Sequence, residues 1–447
     1  MDSIKLSFAV ISERAKKDNL FVEFLVRGSE SLNLGYQKQK LETYEASDNK
    51  IAGLRLIKSG QQAYSYTENL STAGFEKAYN EALANLELLS KAGAPPGLIP
   101  VPASKNKLHK ILPVENVDVE KLKLKAKILE SKSLANDSRI EVVPYSGISD
   151  TKTQTRILNS NGLDVNFEQQ HFSAYSYPLA KEGEISKMSG YGLALRNFAE
   201  LDADEIAVEA AKRTLRLLPA KKLNTGKYPV VIDKEVAASL FALLKSYFSA
   251  KAVDENKSIL KEKLEMSIGA AHITVTDDPT YLAGSAYHPF DAEGEMTAKT
   301  VLIENGILKN YLTNLEYAQK MHLPHTASAA RSPTSEMNIA CSNLIFEKGN
   351  KSRSELLKIH DQVIYVTELD GFHSGFNSAT GDFSLPGQGF SYANGQMLHP
   401  VDQFVVSGNI LTVLQTIEEL GNEYNPPGSS VVIPDLLVSE LFFAGEA

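Results

Sequence analysis

The spacing of hydrophobic residues changes period several times along the N-terminal half of the chain. Hydrophobic residues recur at helical spacing near the start and again over residues 72–91, 119–134 and 203–218. Alternation of hydrophobic and polar positions predicts strands at 21–26, 53–58, 140–148, 153–158 and 163–167. We therefore expect residues 1–220 to form an α/β domain on an antiparallel sheet, with a proline-rich connector near 92–113.

The C-terminal half, residues 225–447, follows mainly the two-residue period of β-strands. A strand at 228–232 and an amphipathic helix at 233–250 open it, and strands follow at 273–276, 299–304, 307–312, 337–346, 362–369 and 403–406. Short helices are expected near 314–321 and 354–360. Asn305-Gly306 stands between two of the strands and predicts a tight hairpin. The predicted fold class is α+β, with a mainly antiparallel β domain at the C-terminal end.

Composition and charge indicate a globular protein of the cytoplasm. A chain of 447 residues is too long for one ordinary hydrophobic core, so two domains are expected. Of its residues, 43% are hydrophobic and 23% are charged, as in other globular proteins. A net charge of −9 argues against nucleic-acid binding, which needs a basic surface. No apolar run reaches the length of a membrane span, and the first residues lack the order of a signal peptide. The single cysteine, Cys341, excludes an internal disulfide, and we interpret it as a small buried hydrophobe.

A glycine-rich segment, residues 370–395, is the strongest candidate for a functional surface. Six glycines lie there among small polar residues and alternating aromatics, a composition that lets a backbone turn repeatedly and approach another chain closely. Two acidic loops elsewhere add further candidates. We predict that these residues contact a substrate or a partner subunit: His373, Gly375, Asn377, Thr380, Gly381, Asp382, Ser384, Gly389, Asp278 and Asp291.

The remaining titratable residues have simpler interpretations. The acids at 277–278 precede Pro279, which predicts a turn whose carboxylates cap backbone amides. Three acids at 291–295 could bind a cation or a substrate amine, although such loops are more often simply solvated. His322 and His325 form an H-x-x-H pair, but a proline between them breaks helical geometry, so a metal site there is disfavoured.

A complete hydrolytic site within this chain is the alternative interpretation. It would need His373 together with Asp382 or Ser384, yet the chain has no G-x-S-x-G motif, and sequence proximity does not establish triad geometry. No phosphate-binding loop or dinucleotide fingerprint is present. We therefore assign no catalytic residue. A self-associating peptide-binding or regulatory protein, or a hydrolase with an unrecognised site, stays open.

An ordered series of motifs resembles the TldD/PmbA family, known as modulators of DNA gyrase and as peptidases. The motifs are DDP at 277–279, FDAEG at 290–294, VLIENGILKNYLTN at 301–314, GFNSATGDFS at 375–384, ANGQ at 393–396, SGN at 407–409 and GNE at 421–423. The N-terminal half is similar more loosely, through residues 53–71. The resemblance extends over nearly the whole chain.

The resemblance implies membership of one of two branches. TldD-like members are implied to be zinc peptidases with an H-E-x-x-x-H helix and a cysteine ligand near the C-terminus. The corresponding segments here, 234–250 and 425–434, contain neither histidine nor cysteine, and the hydrophobic stripe of 234–250 predicts a packing face.

The second branch, PmbA-like or TldE, fits these absences. It implies a subunit with no cofactor of its own that pairs with a TldD-like zinc subunit to cleave peptides or unfolded polypeptides. A homodimer in the absence of that partner is an alternative that the sequence leaves open.

Overall fold

The N-terminal half of the chain folds around one eight-stranded sheet. The structure is a computed structural model that describes residues 3–91 and 99–445. Most of the predicted connector, from 92 to 98, lies outside the described residues. The helices are α1 (Ser3–Lys17), α2 (Thr72–Lys91), α3 (Val119–Asn136) and α4 (Ala203–Leu215). The strands are β1 (Phe21–Gln37), β2 (Lys40–Lys58), β3 (Gln61–Thr67), β4 (Lys107–Ile111), β5 (Ile140–Asn159), β6 (Asp164–Glu182), β7 (Ile185–Met188) and β8 (Tyr191–Leu195).

This first sheet has the strand order β3-β2-β1-β5-β6-β4, and β7 and β8 both pair with β6. Its pairs are antiparallel apart from β4 with β6. The predicted helices at 72–91 and 119–134 are confirmed. The predicted strands at 140–148 and 153–158 are parts of the single strand β5, because pairing with β1 and β6 continues through the polar residues between them.

The C-terminal half contains two further sheets and a short two-stranded one. Its helices are α5 (Lys234–Ala242), α6 (Ala250–Asp254), α7 (Leu315–Met321), α8 (Arg353–Leu356), α9 (Phe372–Gly375) and α10 (Ile410–Gln415). Its strands are β9 (Lys221–Lys222), β10 (Gly226–Ile232), β11 (Val275–Asp277), β12 (Thr300–Glu304), β13 (Ile307–Leu308), β14 (Ala329–Ala330), β15 (Asn338–Ile339), β16 (Leu344–Phe346), β17 (Gln362–Leu369), β18 (Asp382–Ala393), β19 (Gln396–Asn409), β20 (Ile417–Tyr424), β21 (Val431–Val432) and β22 (Pro434–Ala444).

The two larger sheets of this half enclose one hydrophobic core. The seven-stranded sheet has the order β20-β22-β10-β17-β18-β19-β9, and the five-stranded sheet has the order β13-β12-β11-β16-β21. Residues of both sheets and of α5 pack into one cluster. The predicted hairpin is confirmed, since Asn305 and Gly306 both have positive φ and join β12 to β13. The α+β fold class is confirmed, and no helix in the described ranges is long and apolar enough to span a bilayer.

The predicted continuous helix at 233–250 is wrong in its extent. The structure divides it into α5, a 3-10 turn over Leu243–Phe248 and the separate helix α6. The break occurs because the backbone is extended at Ser249, where the flanking residues Phe248 and Ala250 exchange backbone hydrogen bonds with Leu312. The Ser249 hydroxyl then caps α6. The predicted packing face is confirmed, because Leu240 and Tyr247 are buried in the core.

One face of the first sheet packs against the C-terminal half. Successive residues of a strand point to opposite faces. Val22 and Phe24 of β1 therefore pack with α2, whereas Leu25 packs with Tyr287 and Phe290 of the C-terminal half. At Gly53 of β2 a Cβ atom would lie 2.3 Å from a backbone oxygen of the C-terminal half, so the two surfaces touch there. This shared boundary holds most of the buried charge discussed below.

Candidate functional site

The two segments in which the zinc branch is expected to carry its metal ligands meet in this structure at one cavity. The α5 cleft, as we call it, has a volume of about 490 Å³ and lies between α5, the loop 425–431 and strands β6 and β8. A second cavity of about 410 Å³ adjoins it and shares Glu235 and Ser239 of α5. Segments almost 200 residues apart in sequence therefore form one concave surface.

The polar groups of the α5 cleft do not suit zinc. The loop contributes Asn425, Ser429 and Ser430, and the helix contributes Glu235 and Ser239. Structural and catalytic zinc is bound by cysteine, histidine and carboxylate, with several such ligands converging on one point. The cleft supplies one carboxylate and neither of the other two ligand types. The residues present therefore do not fit the metal that the resemblance associates with these segments.

Glu235 is held by an arginine and cannot act as a free base. Arg213 donates from both terminal nitrogens to the two carboxylate oxygens of Glu235, at 3.0 and 2.7 Å. The same guanidinium donates to Glu209 at 2.9 Å and lies over the ring of Tyr191. A bidentate pair of this kind fixes the carboxylate in position and neutralises its charge.

One signal in α5 escaped the sequence analysis. Residues 234–239 read K-E-V-A-A-S, which keeps the spacing of H-E-x-x-x-H with Lys234 and Ser239 in the two histidine positions. Lys234 forms an ion pair with Glu423 at 3.3 Å, while Ser239 donates back to its own helix. The glutamate of the motif is thus present without either metal-binding neighbour.

The glycine-rich segment forms a turn that is closed by its own hydrogen bonds. The backbone N–H of Gly381 donates to the Asn377 carbonyl, and that of Asn377 donates to the carbonyl of Asp382, both at 2.8 Å. The Asp382 carboxylate accepts from the Thr380 hydroxyl at 2.6 Å and from the Asn409 amide at 2.8 Å. These two hydrogen bonds lower the pKa of Asp382. Gly381 is buried, but Asn377, Thr380 and Asp382 are exposed, so these side chains lie on the surface where a partner or peptide could reach them.

Two glycines of this segment occur where a strand backbone allows no side chain. A Cβ atom on Gly389 would lie 2.0 Å from the carbonyl oxygen of Tyr365 on the neighbouring strand β17. A Cβ atom on Gly375 would lie 2.4 Å from the Ser384 carbonyl oxygen. Both close approaches are internal to the chain. Contact of these two glycines with a substrate or partner stays a prediction.

The structure does not assemble a triad around His373. Its imidazole is exposed on the short helix α9 and makes no side-chain hydrogen bond within the described residues. Ser384 accepts a hydrogen bond from Ser407 at 3.2 Å, and the Asp382 carboxylate accepts from the Thr380 hydroxyl within the turn. The three residues proposed for a hydrolytic alternative therefore make no hydrogen bond with one another.

The acids at the DDP motif cap backbone amides, as the sequence predicts. Asp278 accepts from the backbone N–H and the hydroxyl of Thr280, at 2.8 and 2.7 Å. Asp277 accepts from the backbone N–H of Ser342 at 2.8 Å and from the thiol of Cys341. Burial raises the pKa of Asp277 to about 7. Cys341 is buried in the hydrophobic core, which confirms its predicted environment.

The expectation that the acids at 291–295 are solvated is wrong for two of them. Asp291 is buried, and its carboxylate accepts from the backbone N–H groups of Glu293, Glu295 and Ala329 at 2.9 to 3.1 Å. Glu293 is also buried and accepts from the backbone N–H of Leu315 at 2.9 Å. The loop packs under the first sheet, which no pattern within the loop itself predicts.

Burial raises the pKa values of both acids, and neighbouring carboxylates raise them further. The pKa of Asp291 lies well above its usual range because the group is buried and Glu293 is nearby. Burial raises that of Glu293 to about 7, against the opposing field of the Arg55 guanidinium.

These acids and a histidine form a candidate metal trio that the surroundings disfavour. Ligand atoms of Asp291, Glu293 and His325 lie within 4.8 Å of one another. Asp291 already accepts three backbone N–H groups, and Arg55 acts electrostatically on Glu293. A positive guanidinium opposes a second cation. The predicted absence of a metal site at the histidine pair is not tested by this geometry.

A serine–histidine contact lies elsewhere and was not anticipated. The Ser342 hydroxyl is 3.3 Å from Nε2 of His288, whose Nδ1 is 2.9 Å from the Ala286 carbonyl oxygen. That carbonyl favours the tautomer protonated at Nδ1, which leaves Nε2 as the acceptor. Burial lowers the pKa of His288, so the ring is neutral. Ser342 itself is 5% exposed, however, and cannot readily meet a substrate.

Comparison with known sequences finds one family along almost the whole chain. Models for three successive domains of the PmbA/TldA metallopeptidases match it: domain 1 over 22–86, the central domain over 112–218 and the C-terminal domain over 225–445. Metalloprotease PmbA of Escherichia coli O157:H7 is 30% identical over 290 residues, which span 64% of this chain and 62% of that protein. The matched part is thus less than two thirds of that relative.

Solved structures of similar proteins share the fold. A Thermotoga maritima protein described as a candidate modulator of a DNA gyrase is 27% identical, with a TM-score of 0.87 over 98% of this chain and 100% of that one. TldE from Thermococcus kodakarensis superposes with a TM-score of 0.86 at 20% identity, over 98% of this chain and 100% of that one. At that identity the second likeness shows the fold alone.

Proposed function

Because this chain belongs to the PmbA/TldD metallopeptidase family, we propose that it is the non-metal, PmbA/TldE-like subunit of a cytoplasmic peptidase complex. A TldD-like partner then holds the zinc and the water that the zinc activates. This chain contributes a wall of the chamber that receives a peptide or an unfolded polypeptide. The exposed turn around residues 377–382 is a surface where the partner or peptide would bind.

The α5 cleft is the observation that carries this proposal. It brings together the two segments named by the resemblance, and it offers one arginine-bound carboxylate with serine and asparagine groups in place of histidine and cysteine. A hydrolytic water needs a metal or a free base close to it. Neither is available in the cleft, which supports placing the chemistry in another subunit.

The direct test compares the chain alone with the chain co-expressed with a TldD-like protein that has H-E-x-x-x-H. We expect no stoichiometric zinc by elemental analysis in the isolated chain, a stable hetero-oligomer on size exclusion, and peptide cleavage by the pair only. Stoichiometric zinc together with unaided peptide cleavage by the purified, untagged chain would overturn the proposal.

Two substitutions in the glycine-rich segment distinguish assembly from chemistry. Gly381 has φ +81, and its Cβ would lie 3.0 Å from Ile259 and Ile410, so Gly381→Val should abolish assembly or cleavage by the pair. His373→Ala removes an exposed ring and should leave cleavage within about twofold of wild type. Complete loss of turnover in a correctly assembled His373→Ala pair would contradict the proposal.

A metal-free hydrolase is the second candidate; it would use the hydrogen bond between Ser342 and His288 and would require a rearrangement that exposes the buried Ser342. It would cleave peptides without a partner and without metal, and Ser342→Ala would abolish that cleavage. A self-associating regulatory protein would show neither zinc nor cleavage in any combination. The co-expression experiment therefore separates all three candidates.

A further inference from the structure

A cavity between the two halves of the molecule is not explained by the proposed function. This interdomain cavity, as we call it, has a volume of about 340 Å³ and lies between the first sheet and the loops that precede β12 and β15. Hydrophobic side chains form much of its wall, with Leu25, Ile157 and Phe167 on the sheet side and Tyr287 and Phe290 opposite. A cavity of this volume accommodates a small organic molecule or a single peptide residue.

Two arginines line the wall, and one of them has buried N–H groups without acceptors in the part of the chain that the structure describes. The Arg331 side chain is fully buried; its Nη2 donates to Glu23 at 2.8 Å, while its Nε and Nη1 have no partner among residues 3–91 and 99–445. Arg27 is exposed at the edge of the cavity. Within the described ranges Arg27 has no acidic partner, and burial of part of its guanidinium lowers its pKa. Buried donors are normally paired, so the unbonded N–H groups of Arg331 indicate a missing acceptor, while the exposed Arg27 can be reached from solvent.

Further positive charge reaches the opposite wall. Arg196 donates to Gln169 at 2.8 Å and stacks over the ring of Tyr287, and both of these residues line the cavity. The Nη2 atom of Arg196 is buried without a partner in the described ranges. Lys110 donates to the hydroxyl of the same tyrosine. Arg27 and Arg331 thus line a small apolar space, and Arg196 and Lys110 lie behind its wall, in a chain whose net charge is −9.

Among the residues that line the cavity one is an acid, and Glu23 pairs with Arg331 beside it. Asp291 is the acid in its lining, and three backbone N–H groups already occupy its oxygens. Burial and the nearby Glu293 raise its pKa well above the usual range. Glu23 pairs with Nη2 of Arg331, but the Nε–H and Nη1–H groups of Arg331 find no acceptor within the described residues.

We propose that the interdomain cavity binds a carboxylate carried on a small apolar body. The guanidinium groups at its edge would pair with the carboxylate, a geometry that arginine suits particularly well. The hydrophobic wall would cover the apolar body. Both the C-terminal residue of a peptide, when it is leucine or phenylalanine, and a free aromatic or branched acid have this chemistry. A doubly charged, strongly hydrated phosphate matches the apolar wall poorly.

Calorimetric titration of the full chain tests the proposal with three probes: N-acetyl-leucine, its amide and inorganic phosphate. We expect N-acetyl-leucine to bind, and we expect its amide and inorganic phosphate to bind much less tightly. A dipeptide ending in leucine and 4-methylpentanoate then distinguish a peptide terminus from a free acid by their relative affinities. None of these measurements depends on a partner subunit or on peptide cleavage, so the result is independent of the proposed function.

A substitution at the exposed edge locates the site. Arg27→Gln should weaken binding of N-acetyl-leucine about tenfold or more, since a hydrogen bond to a charged group is lost, and Arg27→Lys should weaken it less. Arg139→Gln is the matched control, because Arg139 is a surface arginine already paired with Asp137 and Glu182. In the wild type, the methyl resonances of Leu25 and Ile157 should shift on titration.

Three results would overturn the inference. They are equal affinity for the acid and its amide, unchanged affinity in a folded Arg27→Gln variant, and preferential binding of phosphate. Absence of methyl shifts at Leu25 and Ile157 under saturating acid would count equally against it, and this measurement needs no variant at all.

Discussion

The glycine-rich segment and the acidic loop at 290–295 both make close contacts, but with different groups. In the segment, the backbone itself comes near a neighbour, as at Gly389, and its polar side chains remain exposed and hydrogen-bonded to each other. In the loop, the side chains of Asp291 and Glu293 are buried under the first sheet, close to Arg55. Glu23 and Arg331 are buried at the same boundary.

The two regions differ in how much their charged groups contribute to the free energy of unfolding. An exposed carboxylate such as Asp382 is solvated and contributes little to stability beyond its local turn. A buried ion pair is costly to separate, because the remaining partner is left as an uncompensated charge in a medium of low polarity. We therefore expect charge changes at the boundary between the two halves to alter the free energy of unfolding. In the glycine-rich segment we expect changes in side-chain volume to alter it.

The largest effect should follow removal of a buried charge. Glu23→Ala removes the one side-chain hydrogen-bond acceptor that Arg331 has among the described residues, and should lower the free energy of unfolding by about 3–5 kcal/mol. Urea denaturation measures this. Glu30→Ala, on an exposed position of the same strand, is the control and should change stability by less than about 0.5 kcal/mol. Similar values for the two variants would remove the contrast between the boundary and the surface.

A volume change should act most strongly at Gly389. Valine there would place a Cβ atom 2.0 Å from the Tyr365 carbonyl oxygen, which is backbone and cannot move aside cheaply. We expect a loss of about 3 kcal/mol in unfolding free energy, or insoluble protein. Gly28→Ala is the matched control, since the added methyl meets only ordinary contacts at 3.5 Å and beyond. A stable Gly389→Val protein would show that the strands can separate.

The smallest effect is a change in the pH dependence of stability. The folded protein binds the Glu293 proton more tightly than the unfolded chain, because its pKa is raised from 4.5 to about 7. Stability should therefore fall as pH rises through this interval, and Glu293→Gln should flatten the decline by at most about 1.4 kcal/mol per pH unit. Glu304→Gln, on an exposed hairpin, should leave the slope unchanged. An unaltered slope in Glu293→Gln would contradict the assigned environment.

Predictions from sequence succeeded where the pattern is local. The helix at 72–91 and the Asn305-Gly306 hairpin depend on residues within one element, and both are confirmed. The helix at 233–250 failed because hydrogen bonds from Leu312, more than 60 residues away, interrupt it at Ser249. The prediction that the acids at 291–295 are solvated failed for the same reason, since their burial depends on strands β1 and β2.

By itself, the sequence determined which chemical groups are present, and it excluded histidine and cysteine from 234–250 and 425–434. Only the tertiary structure decided that these two segments share a cleft, and that Glu23 meets Arg331 across 308 positions of the chain. The physical reason is that a side chain's charge state and reactivity depend on desolvation and on neighbours within a few ångströms. Folding brings those neighbours together from distant parts of the chain.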